Sequence, residues 1–461
     1  MSRVLLVSAN TMTGPYPVYP LGMATVAAAL VRQGHEVRQF DVLTEACSVP
    51  QLRQAVREHA PDVIGVSLRN LDSADSLSAE ATWSMDSARA FVTALRDASS
   101  APVVLGGPAF SLMPEAILDY LQADFGVVGE GERGVCELVE GLSRGRQPLP
   151  RIIDGRATPL AGSDIEAPLL DSALVRFYLD QSGMLNLQTK RGCPWDCTYC
   201  SYPGLEGRGY RVRDPAGVVD DLRRMQRDHA AESVFFTDSV FNDRNGHHLE
   251  LAEAMLHAGI GIRWSAFFRP QGISRQDLAL LKRSGLYAME VGTDGATDAT
   301  LATAHKGFSF ADVLEFDRAC AAEQVACAHF VIFGWPGETE ASLRQGLVNL
   351  AQLKHGIVFA FSGIRVLPGT GIHAQAIHEG VVAAADSLLR PVYYSSPALD
   401  PELMNATIVK AFGDRRDRFF PPSRANERLA VLHRFGYRGL LWDRLIPAPH
   451  PGRPSRGRHD T

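Results

Sequence analysis

Hydrophobic and polar residues alternate along the first 143 residues with two recurring periods. Short apolar runs alternate with stretches whose apolar residues recur every three to four positions, the spacing of one helix face. The predicted strands cover residues 4–7, 37–42, 62–67, 103–105 and 124–128, and the predicted helices cover residues 21–32, 51–59, 80–97, 114–121 and a segment ending near 142. Five such units in succession predict a parallel, doubly wound, Rossmann-like sheet. Ligands of such sheets bind outside the carboxyl ends of the strands.

The same alternation returns after residue 181. The predicted strands cover residues 184–189, 233–236, 262–268, 287–292, 326–333 and 358–366, and the predicted helices cover residues 215–229, 244–258, 276–284, 310–323 and 339–353. No seventh or eighth strand is apparent in the pattern. The sequence therefore predicts an α/β chain with two parallel sheets, within residues 1–143 and 181–372.

Three other regions lack this alternation. Residues 144–180 are rich in Gly, Pro, Arg and Asp without a clear period, which predicts a connector. Residues 373–446 have a mostly helical pattern and predict a small helical region. Residues 447–461 are rich in Pro, Gly, Arg and His, which is typical of a disordered tail.

Composition argues against several classes of protein. Of the 461 residues, 46% are hydrophobic and 21% are charged, as in soluble globular proteins, and the net charge of -6 argues against nucleic-acid binding. No apolar run reaches the about 18 residues of a membrane span, and the apolar part of the N-terminus is too short for a signal peptide. Seven cysteines fit a reducing cytoplasm. Four of them are predicted to be buried free thiols: Cys47, Cys136, Cys320 and Cys327.

Cys193, Cys197 and Cys200 form a compact motif with the spacing C-x3-C-x2-C. Thiols so close together, in a chain with no secretion signal, indicate a metal site rather than a disulfide framework. Three ligands are one short of a closed tetrahedral zinc site, but they suit a [4Fe–4S] cluster with one open iron. A zinc knuckle and a chance grouping of loop cysteines are the alternatives.

This motif, preceded by a strand and followed by βα units, resembles that of the radical S-adenosylmethionine (radical SAM) superfamily. The resemblance implies a partial (β/α)6 barrel, SAM chelated by the open iron, and reductive cleavage of SAM to a 5′-deoxyadenosyl radical. It also implies that residues 373–446 form a small C-terminal cap, which either shapes a substrate pocket or packs without touching substrate. It implies SAM contacts by Tyr199, which could lie against a planar base, and by residues at strand ends: Asp238, Arg269, Glu290, Thr293, Asp294, Gly334, Pro336 and Gly337. In the structural alternatives, Asp238 caps the next helix and the Pro–Gly pair is only a turn.

Residues 15–22, 34–37, 105–108 and 128–132 resemble, in order, the cobalamin-binding domain found ahead of many radical SAM modules. The resemblance implies cobalamin contacts at strand ends, where glycine allows close approach of a ligand: Asn10, Ser67, Arg69, Asn70, Gly106, Gly107, Gly129 and Glu130. The loop after the first strand lacks the histidine that ligates cobalt in many such domains, and His35 lies elsewhere. We therefore expect cobalamin without a protein histidine ligand, or a domain that has lost cobalamin.

Cationic residues near these motifs allow two interpretations each. Arg69 either approaches the lower face of the corrin, where a cation would disfavour a lower ligand, or pairs with Asp72 or Asp75. The basic run either binds an anionic substrate or the cobalamin edge, or is a solvated loop paired with nearby aspartates. That run is Arg208, Arg211 and Arg213, and the aspartates are Asp214, Asp220 and Asp221.

Both resemblances together imply an enzyme. The first hypothesis is a cobalamin-dependent methyltransferase acting on an unactivated carbon or phosphorus centre of a small molecule in specialised metabolism. Its electron donor would be a flavodoxin or ferredoxin. The second is another radical reaction with idle or absent cobalamin, such as 3-amino-3-carboxypropyl transfer, cyclisation or rearrangement. A third, of a different class, is a cobalamin or redox sensor that binds without turnover.

Overall fold

The first sheet has six parallel strands, one more than predicted. A computed structural model describes residues 1–146 and 149–446. The strands are β1 (Arg3–Ser8), β2 (Glu36–Asp41), β3 (Val63–Ser67), β4 (Val103–Gly106), β5 (Phe125–Val128) and β6 (Ile152–Asp154). The helices are α1 (Leu21–Arg32), α2 (Val49–His59), α3 (Ala79–Thr82), α4 (Met85–Ala98), α5 (Pro108–Leu112), α6 (Pro114–Leu121) and α7 (Gly131–Ser143). The strand order β2-β1-β3-β4-β5-β6 confirms the predicted doubly wound α/β sheet.

The second sheet has seven parallel strands in the order β17-β14-β13-β12-β11-β10-β7. From residue 185 onward the strands are β7 (Leu185–Leu187), β8 (Lys190–Arg191), β9 (Arg211–Val212), β10 (Ser233–Phe236), β11 (Arg263–Phe268), β12 (Leu286–Asp294), β13 (Ala326–Phe333), β14 (Ile357–Ser362), β15 (Ile364–Arg365), β16 (Tyr393–Tyr394) and β17 (Arg418–Phe419). The sheet is open, as expected of a partial barrel. The prediction of no seventh strand is wrong, because β17 from the cap region pairs with β14.

Helices α8 to α19 lie in the same part of the chain as this sheet. They are α8 (Ser172–Gln181), α9 (Tyr202–Glu206), α10 (Pro215–His229), α11 (His247–His257), α12 (Arg275–Arg283), α13 (Asp298–Thr303), α14 (Phe310–Glu323), α15 (Glu340–Leu350), α16 (Gly371–His378), α17 (Pro401–Phe412), α18 (Arg424–Arg434) and α19 (Trp442–Leu445). Residues 373–446 contain α17, α18, α19 and the end of α16, together with the short strands β16 and β17, and their role as a cap stays a prediction. The tail predicted for residues 447–461 lies outside the described residues.

The segment predicted as a connector is partly regular. It supplies β6 at the edge of the first sheet and α8, whose N-cap Asp171 accepts hydrogen bonds from the amides of Ala173 and Leu174. The Tyr178 hydroxyl on α8 donates to Asp41 on β2 at 2.6 Å. This connecting helix therefore packs against the first sheet while leading into β7.

One predicted helix and one predicted strand are interrupted. The helix expected over residues 80–97 is divided into α3 and α4 at Trp83, which is extended and donates from Nε1 to the Leu389 carbonyl at 3.0 Å. The strand expected over residues 358–366 is divided at Gly363, whose φ of 74° lies in the left-handed region. A tertiary contact thus interrupts the helix at Trp83, whereas a left-handed glycine interrupts the strand.

The two faces of the second sheet bury different partners. One face packs on the outer helices, with Met289 and Cys327 in the same core cluster as Leu278. The other face packs on the cap, where the Trp442 ring lies 5.0 Å from that of Phe359. In the described ranges, no helix is both long and apolar enough to cross a bilayer.

Candidate active site

A cavity of about 890 Å³ lies between the two sheets and is lined by both of them. Its volume is near the upper end of the roughly 300–1,000 Å³ typical of small-molecule sites. The cysteine motif lines it on one side, and residues that end β1, β3, β4 and β5 line it on the other. In the described part of the chain, none of residues 373–446 and no histidine lines it. The cap therefore packs without forming this cavity.

Backbone contacts fix the loop that carries the cysteines. It begins at Gly192, whose φ is 91° and where a Cβ would lie 2.0 Å from the Gly209 carbonyl oxygen, so only glycine fits. The Cys193 amide donates to the Gly207 carbonyl at 2.9 Å, and the Cys200 amide donates to the Cys197 carbonyl at 3.1 Å. The loop is thus folded by its own amides before any ligand binds.

At least two of the three cysteine sulfurs lie more than 4.8 Å apart. Among the described residues, a group of three ligands with donor atoms within 4.8 Å of one another occurs elsewhere, and the loop cysteines do not form such a group. Thiolates on one tetrahedral zinc, with bonds of about 2.3 Å, lie closer together than that. Burial also raises the pKa of Cys193, and it raises that of Cys200 to about 12. The separation fits a multi-iron cluster better than a single zinc ion.

Arg269 places positive charge beside the cysteine loop. Its guanidinium carbon lies 3.7 Å from the centroid of the Trp195 ring, and Nη1 lies 4.0 Å from Cys197 Sγ. The side chain also donates to the Lys306 carbonyl, while its buried Nε has no hydrogen-bond partner among the described residues. Arg269 therefore lines the cavity with one donor still free.

Tyr199 and Asp294 form a polar corner of the same cavity. The Tyr199 hydroxyl donates to Asp294 at 2.9 Å, and Lys306 forms an ion pair with the same carboxylate. Burial raises the pKa of Tyr199 well above its ordinary value, so its hydroxyl stays protonated. A register shift between Gly292 and Asp294, with Asp294 at a φ of 59°, turns this carboxylate toward the cavity.

The first sheet meets the cavity mainly with glycine and neutral polar groups. Asn10, Ser67, Asn70, Gly106 and Gly107 all line it. A Cβ at Gly106 would approach no atom closer than 3.8 Å, so this glycine leaves open space. The Asn70 Oδ1 atom is buried without a hydrogen-bond partner in the described chain. An open, glycine-lined wall with an unpaired acceptor suits a large polar ligand that lies across the strand ends.

Arg69 extends into the cavity as an unpaired cation. Its side chain is exposed there, and within the described residues it forms no salt bridge. The expected pairing with Asp72 or Asp75 is wrong, because Asp72 accepts from Arg365 at 2.9 Å and Asp75 accepts from neighbouring Ser78 at 3.0 Å. The interpretation of Arg69 as a ligand-facing residue remains as a prediction.

Glu130 connects the two sheets rather than only ending β5. Its carboxylate accepts from the Leu160 amide at 2.7 Å and pairs with Arg211 at 2.5 Å. Arg191, directly before the cysteine loop, lies 3.5 Å from Glu130 and 2.5 Å from Glu132. These buried ion pairs hold the cysteine loop against the first sheet. Neighbouring Gly129 lines the cavity.

The basic run after the cysteines is paired, but mostly not with the expected aspartates. Arg213 pairs with Asp221 at 2.6 Å, as expected, whereas Arg208 pairs with Asp196 at 2.9 Å in an exposed position. Arg211 pairs with Glu130 instead of Asp214 or Asp220. The expectation of a purely solvated loop is therefore wrong for Arg211.

Six residues predicted to contact SAM do not line the cavity: Asp238, Glu290, Thr293, Gly334, Pro336 and Gly337. Asp238 is fully buried and accepts from the amides of Thr189 and Lys190 at 2.7 and 3.2 Å, which holds the end of the strand before the cysteines. It does not cap the next helix, because α11 begins after Gly246. Asp238 is thus a structural support of the motif.

The other five residues predicted to contact SAM lie in structural contacts away from the cavity. The Thr293 hydroxyl hydrogen-bonds His329 Nδ1 at 2.8 Å. Burial raises the pKa of Glu290 to about 7. The loop with Gly334, Pro336 and Gly337 is closed by Glu338, whose carboxylate accepts from the Gly334 and Trp335 amides. This geometry favours the turn interpretation of that loop.

Several cavity residues were not singled out from the sequence: Asn186, Gln188, Trp195, Glu206, Ser239 and Lys306. Two of them carried a signal, since Asn186 and Gln188 are polar residues two positions apart around a predicted buried strand. Such residues share one face, and a polar face there indicates a cavity. Lys306 carried no such signal in the sequence. It follows α13 whereas its partner Asp294 ends β12, and no pattern of spacing connects the two residues.

Comparisons with known families match the two halves separately. Residues 7–139 match the model of the B12 binding domain, and residues 187–346 match that of the Radical SAM superfamily. The boundary between the two matches falls in the segment that contains β6 and α8.

Relatives and solved structures align over most of the chain. It is 24% identical to the tryptophan 2-C-methyltransferase of Streptomyces laurentii, over 82% of this chain and 74% of that protein. It is 27% identical to the hopanoid C-3 methylase of Methylococcus capsulatus, over 65% and 58%. Its fold resembles that of TsrM, a radical S-adenosylmethionine methyltransferase from Kitasatospora setae solved with cobalamin and a [4Fe-4S] cluster. The TM-score is 0.84 at 23% identity, over 96% of this chain and 97% of that one.

Proposed function

We propose, from the premise that the chain belongs to the radical SAM superfamily and carries an N-terminal B12 binding domain, that it is a cobalamin-dependent methyltransferase. The acceptor would be an unactivated carbon or phosphorus centre of a small molecule. One observation carries the proposal: a single cavity is lined both by the cysteine motif and by the strand ends of the first sheet. A methyl group bound on one side would therefore meet a substrate activated on the other without leaving the enzyme.

The cysteine loop and the strand ends near it would hold the cluster and SAM. Cys193, Cys197 and Cys200 would each bind one iron. Arg269 and Asp294 are placed to bind opposite charges, and the amino acid part of SAM carries both an ammonium and a carboxylate. Tyr199, held by Asp294, would then contribute an aromatic wall.

The first sheet would hold cobalamin without a protein ligand below the metal. The absence of histidine among the cavity-lining residues of the described chain fits this expectation. Asn10, Ser67 and Asn70 would bind the polar rim, and Gly106 and Gly107 would leave room for the ring. Arg69 would place a cation near the corrin and so disfavour a lower ligand.

When bound, the cluster and SAM supply a radical and cobalamin supplies the methyl group, and this chemistry belongs to the cofactors. The protein would orient the three groups between the two walls of the cavity, and burial keeps Tyr199 protonated. Reduction would require an external donor such as flavodoxin or ferredoxin. Seven free cysteines fit a reducing cytoplasm as the setting.

The test uses the full chain, reconstituted anaerobically with iron, sulfide and cobalamin and incubated with SAM and a reductant. We expect 5′-deoxyadenosine together with S-adenosylhomocysteine, and Cys197→Ala should abolish both while Cys136→Ser retains them. Methylthioadenosine would instead indicate aminocarboxypropyl transfer. No product from SAM would indicate a binding protein, and full turnover by the Cys197→Ala variant would refute the cluster assignment.

A further inference from the structure

A second group of metal-ligating side chains lies between α14 and β13, away from the cavity. Asp317 and Cys320 are three residues apart on α14 and share a helix face. Cys327 and His329 are two residues apart on β13 and share a strand face. Asp317, Cys327 and His329 are 3%, 0% and 0% exposed. The sequence therefore brings four potential ligands to one buried layer between a helix and the sheet.

The donor atoms of three of these residues form a nearly equilateral triangle. His329 Nε2 lies 3.7 Å from Asp317 Oδ1 and 3.8 Å from Cys327 Sγ, and Cys327 Sγ lies 3.9 Å from Asp317 Oδ1. The centre of an equilateral triangle lies at the edge length divided by √3 from each corner. For these three donor atoms that distance is about 2.2 Å. Zinc bonds to oxygen, nitrogen and sulfur span about 2.0–2.3 Å. The triangle thus has the size of a zinc site.

The surroundings of the triangle orient its ligands. His329 Nδ1 is hydrogen-bonded to the Thr293 hydroxyl at 2.8 Å, which directs Nε2 toward Asp317 and Cys327. Asp317 accepts backbone amides of residues 354, 355 and 356 at 3.1, 3.3 and 2.6 Å. Metal-binding histidines and carboxylates are commonly held by such outer hydrogen bonds. Both ligands are therefore held by hydrogen bonds, and at Asp317 the Gly356 amide donates to Oδ1, the same oxygen that faces His329 and Cys327.

Two further contacts bear on the site. A Cβ at Gly356 would lie 2.7 Å from His329 Nε2 and 2.9 Å from Asp317 Oδ1, so the backbone closes one side of the triangle. Arg418 lies in the same layer, but its guanidinium is occupied by the carbonyls of residues 350, 353, 356 and 417. The Cys320 thiol neighbours that of Cys327, but its sulfur lies outside the group of donor atoms within 4.8 Å of one another, so it would complete the site only after its side chain moves toward the other three.

We propose that Asp317, Cys327 and His329 bind a zinc ion, with Cys320 or water as the fourth ligand. The ion would be structural, tying α14 to β13. Cys327 and His329 lie in the first half of β13, whereas the cavity meets the carboxyl ends of the strands. This site is independent of the methyltransferase proposal, because no residue of it lines the cavity. A buried hydrogen-bonded network without metal is the alternative that the test must exclude.

The first experiment counts metals in the full chain, purified with zinc present, reconstituted with its cluster and dialysed. About four iron per chain would show that the loop cysteines are occupied by the cluster. We expect about one zinc per chain in addition, lost on Cys327→Ala or His329→Ala and retained in the matched thiol control Cys136→Ser. Thr293→Val should weaken zinc binding about 10- to 100-fold in competition with a chelator. Zinc below a tenth of an equivalent in the wild-type chain would overturn the proposal.

The second experiment needs no variant and so does not depend on the substituted chains folding. X-ray absorption at the zinc edge of the wild-type holoprotein should show a mixed shell, with one or two sulfurs at about 2.3 Å and nitrogen or oxygen at about 2.0–2.1 Å. A shell of three or more sulfurs would place the zinc on the loop cysteines. A shell of oxygen and nitrogen alone would place it on the surface. Either result would overturn the proposal.

Discussion

The two parallel sheets direct their strand ends at one cavity but present different chemistry to it. The first sheet contributes glycine and neutral side chains such as Asn10 and Ser67. The second contributes cysteines and charged groups, including Arg269 and Asp294. Asp72, Glu130 and Glu132 of the first half also line the cavity, but each is paired with an arginine, whereas Arg69 is an unpaired cation among the described residues. The same βα repeat thus forms a shaped, mostly neutral wall on one side and an electrostatic site on the other.

This difference indicates how two kinds of ligand can share one space. A neutral wall with glycine selects by shape, because a backbone without side chains lets a broad ligand lie flat against it. A charged wall in a partly buried setting selects by charge, since each group interacts strongly with ligand atoms. The division of labour depends on the two walls being held at a fixed separation, and the ion pairs around Arg191 do this.

The largest effect is expected from breaking the ion pairs that join the two walls of the cavity. Arg191→Met removes the cation that faces Glu132 and Glu130 and leaves buried carboxylates without it. Breaking a buried ion pair by removing one partner costs about 3–5 kcal/mol. We expect a loss of that size in urea unfolding followed by circular dichroism. Arg223→Met, which breaks an exposed pair with Asp220, should cost at most about 1 kcal/mol. Equal losses in both variants would show that Arg191 does not join the walls.

The fold was predictable where the pattern is long and local. The predicted bounds of α1, α10, α14 and β13 agree with the structure to the residue, because each is a long periodic segment. Strands β6 and β17 have only three and two residues, which is too short for a periodic pattern, and the partner of β17 is β14, well before it in the sequence. The break at Trp83 likewise depends on a carbonyl 306 residues away. A short window of sequence cannot predict these features, because the residues that cause them lie outside the window.

The site was predictable where chemistry is carried by spacing, and less so where it depends on which way a strand residue faces. The cysteine motif is local, and the structure places all three cysteines at the cavity. Thr293 and Asp294 were predicted together, yet Asp294 lines the cavity and Thr293 faces His329. Neighbouring strand residues point to opposite faces, so an error of one position exchanges a ligand for a core residue. The bulge before Asp294 made that position harder to foresee.

A second test concerns the charge inside the second sheet. Glu290 lies on the strand face of Ala288, which packs under the cap, and burial raises its pKa from 4.5 to about 7. The Glu290 carboxyl therefore ionises at a lower pH in the unfolded chain than in the folded one. Its contribution to the free energy of unfolding should fall as pH rises from 4.5 to 7 and level off above. A shift of this size corresponds to roughly 3 kcal/mol.

Glu290→Gln should remove that slope, so that the variant becomes relatively more stable than the wild type at pH 8. Urea unfolding at pH 5, 6, 7 and 8 measures the effect. Glu253→Gln, on the exposed face of α11, serves as the matched control and should keep the wild-type profile. If the pH dependence of stability were the same in Glu290→Gln and in the wild type, Glu290 would already be ionised in the folded protein. The second sheet would then carry charge on its cap side as well as at the cavity.

The smallest effect is expected from adding a side chain to the glycine-lined wall of the first sheet. Gly106→Val adds a side chain where a Cβ meets no atom within 3.8 Å, so the protein should fold while the cavity shrinks. Overpacking of about 1–3 kcal/mol corresponds to cobalamin binding weakened about 5- to 150-fold in a spectroscopic titration. Iron content should stay unchanged, because the cysteine loop is untouched. Gly217→Val on α10, where a Cβ also meets open space, should leave both quantities unchanged. Loss of iron together with cobalamin would show that the two walls do not bind their ligands separately.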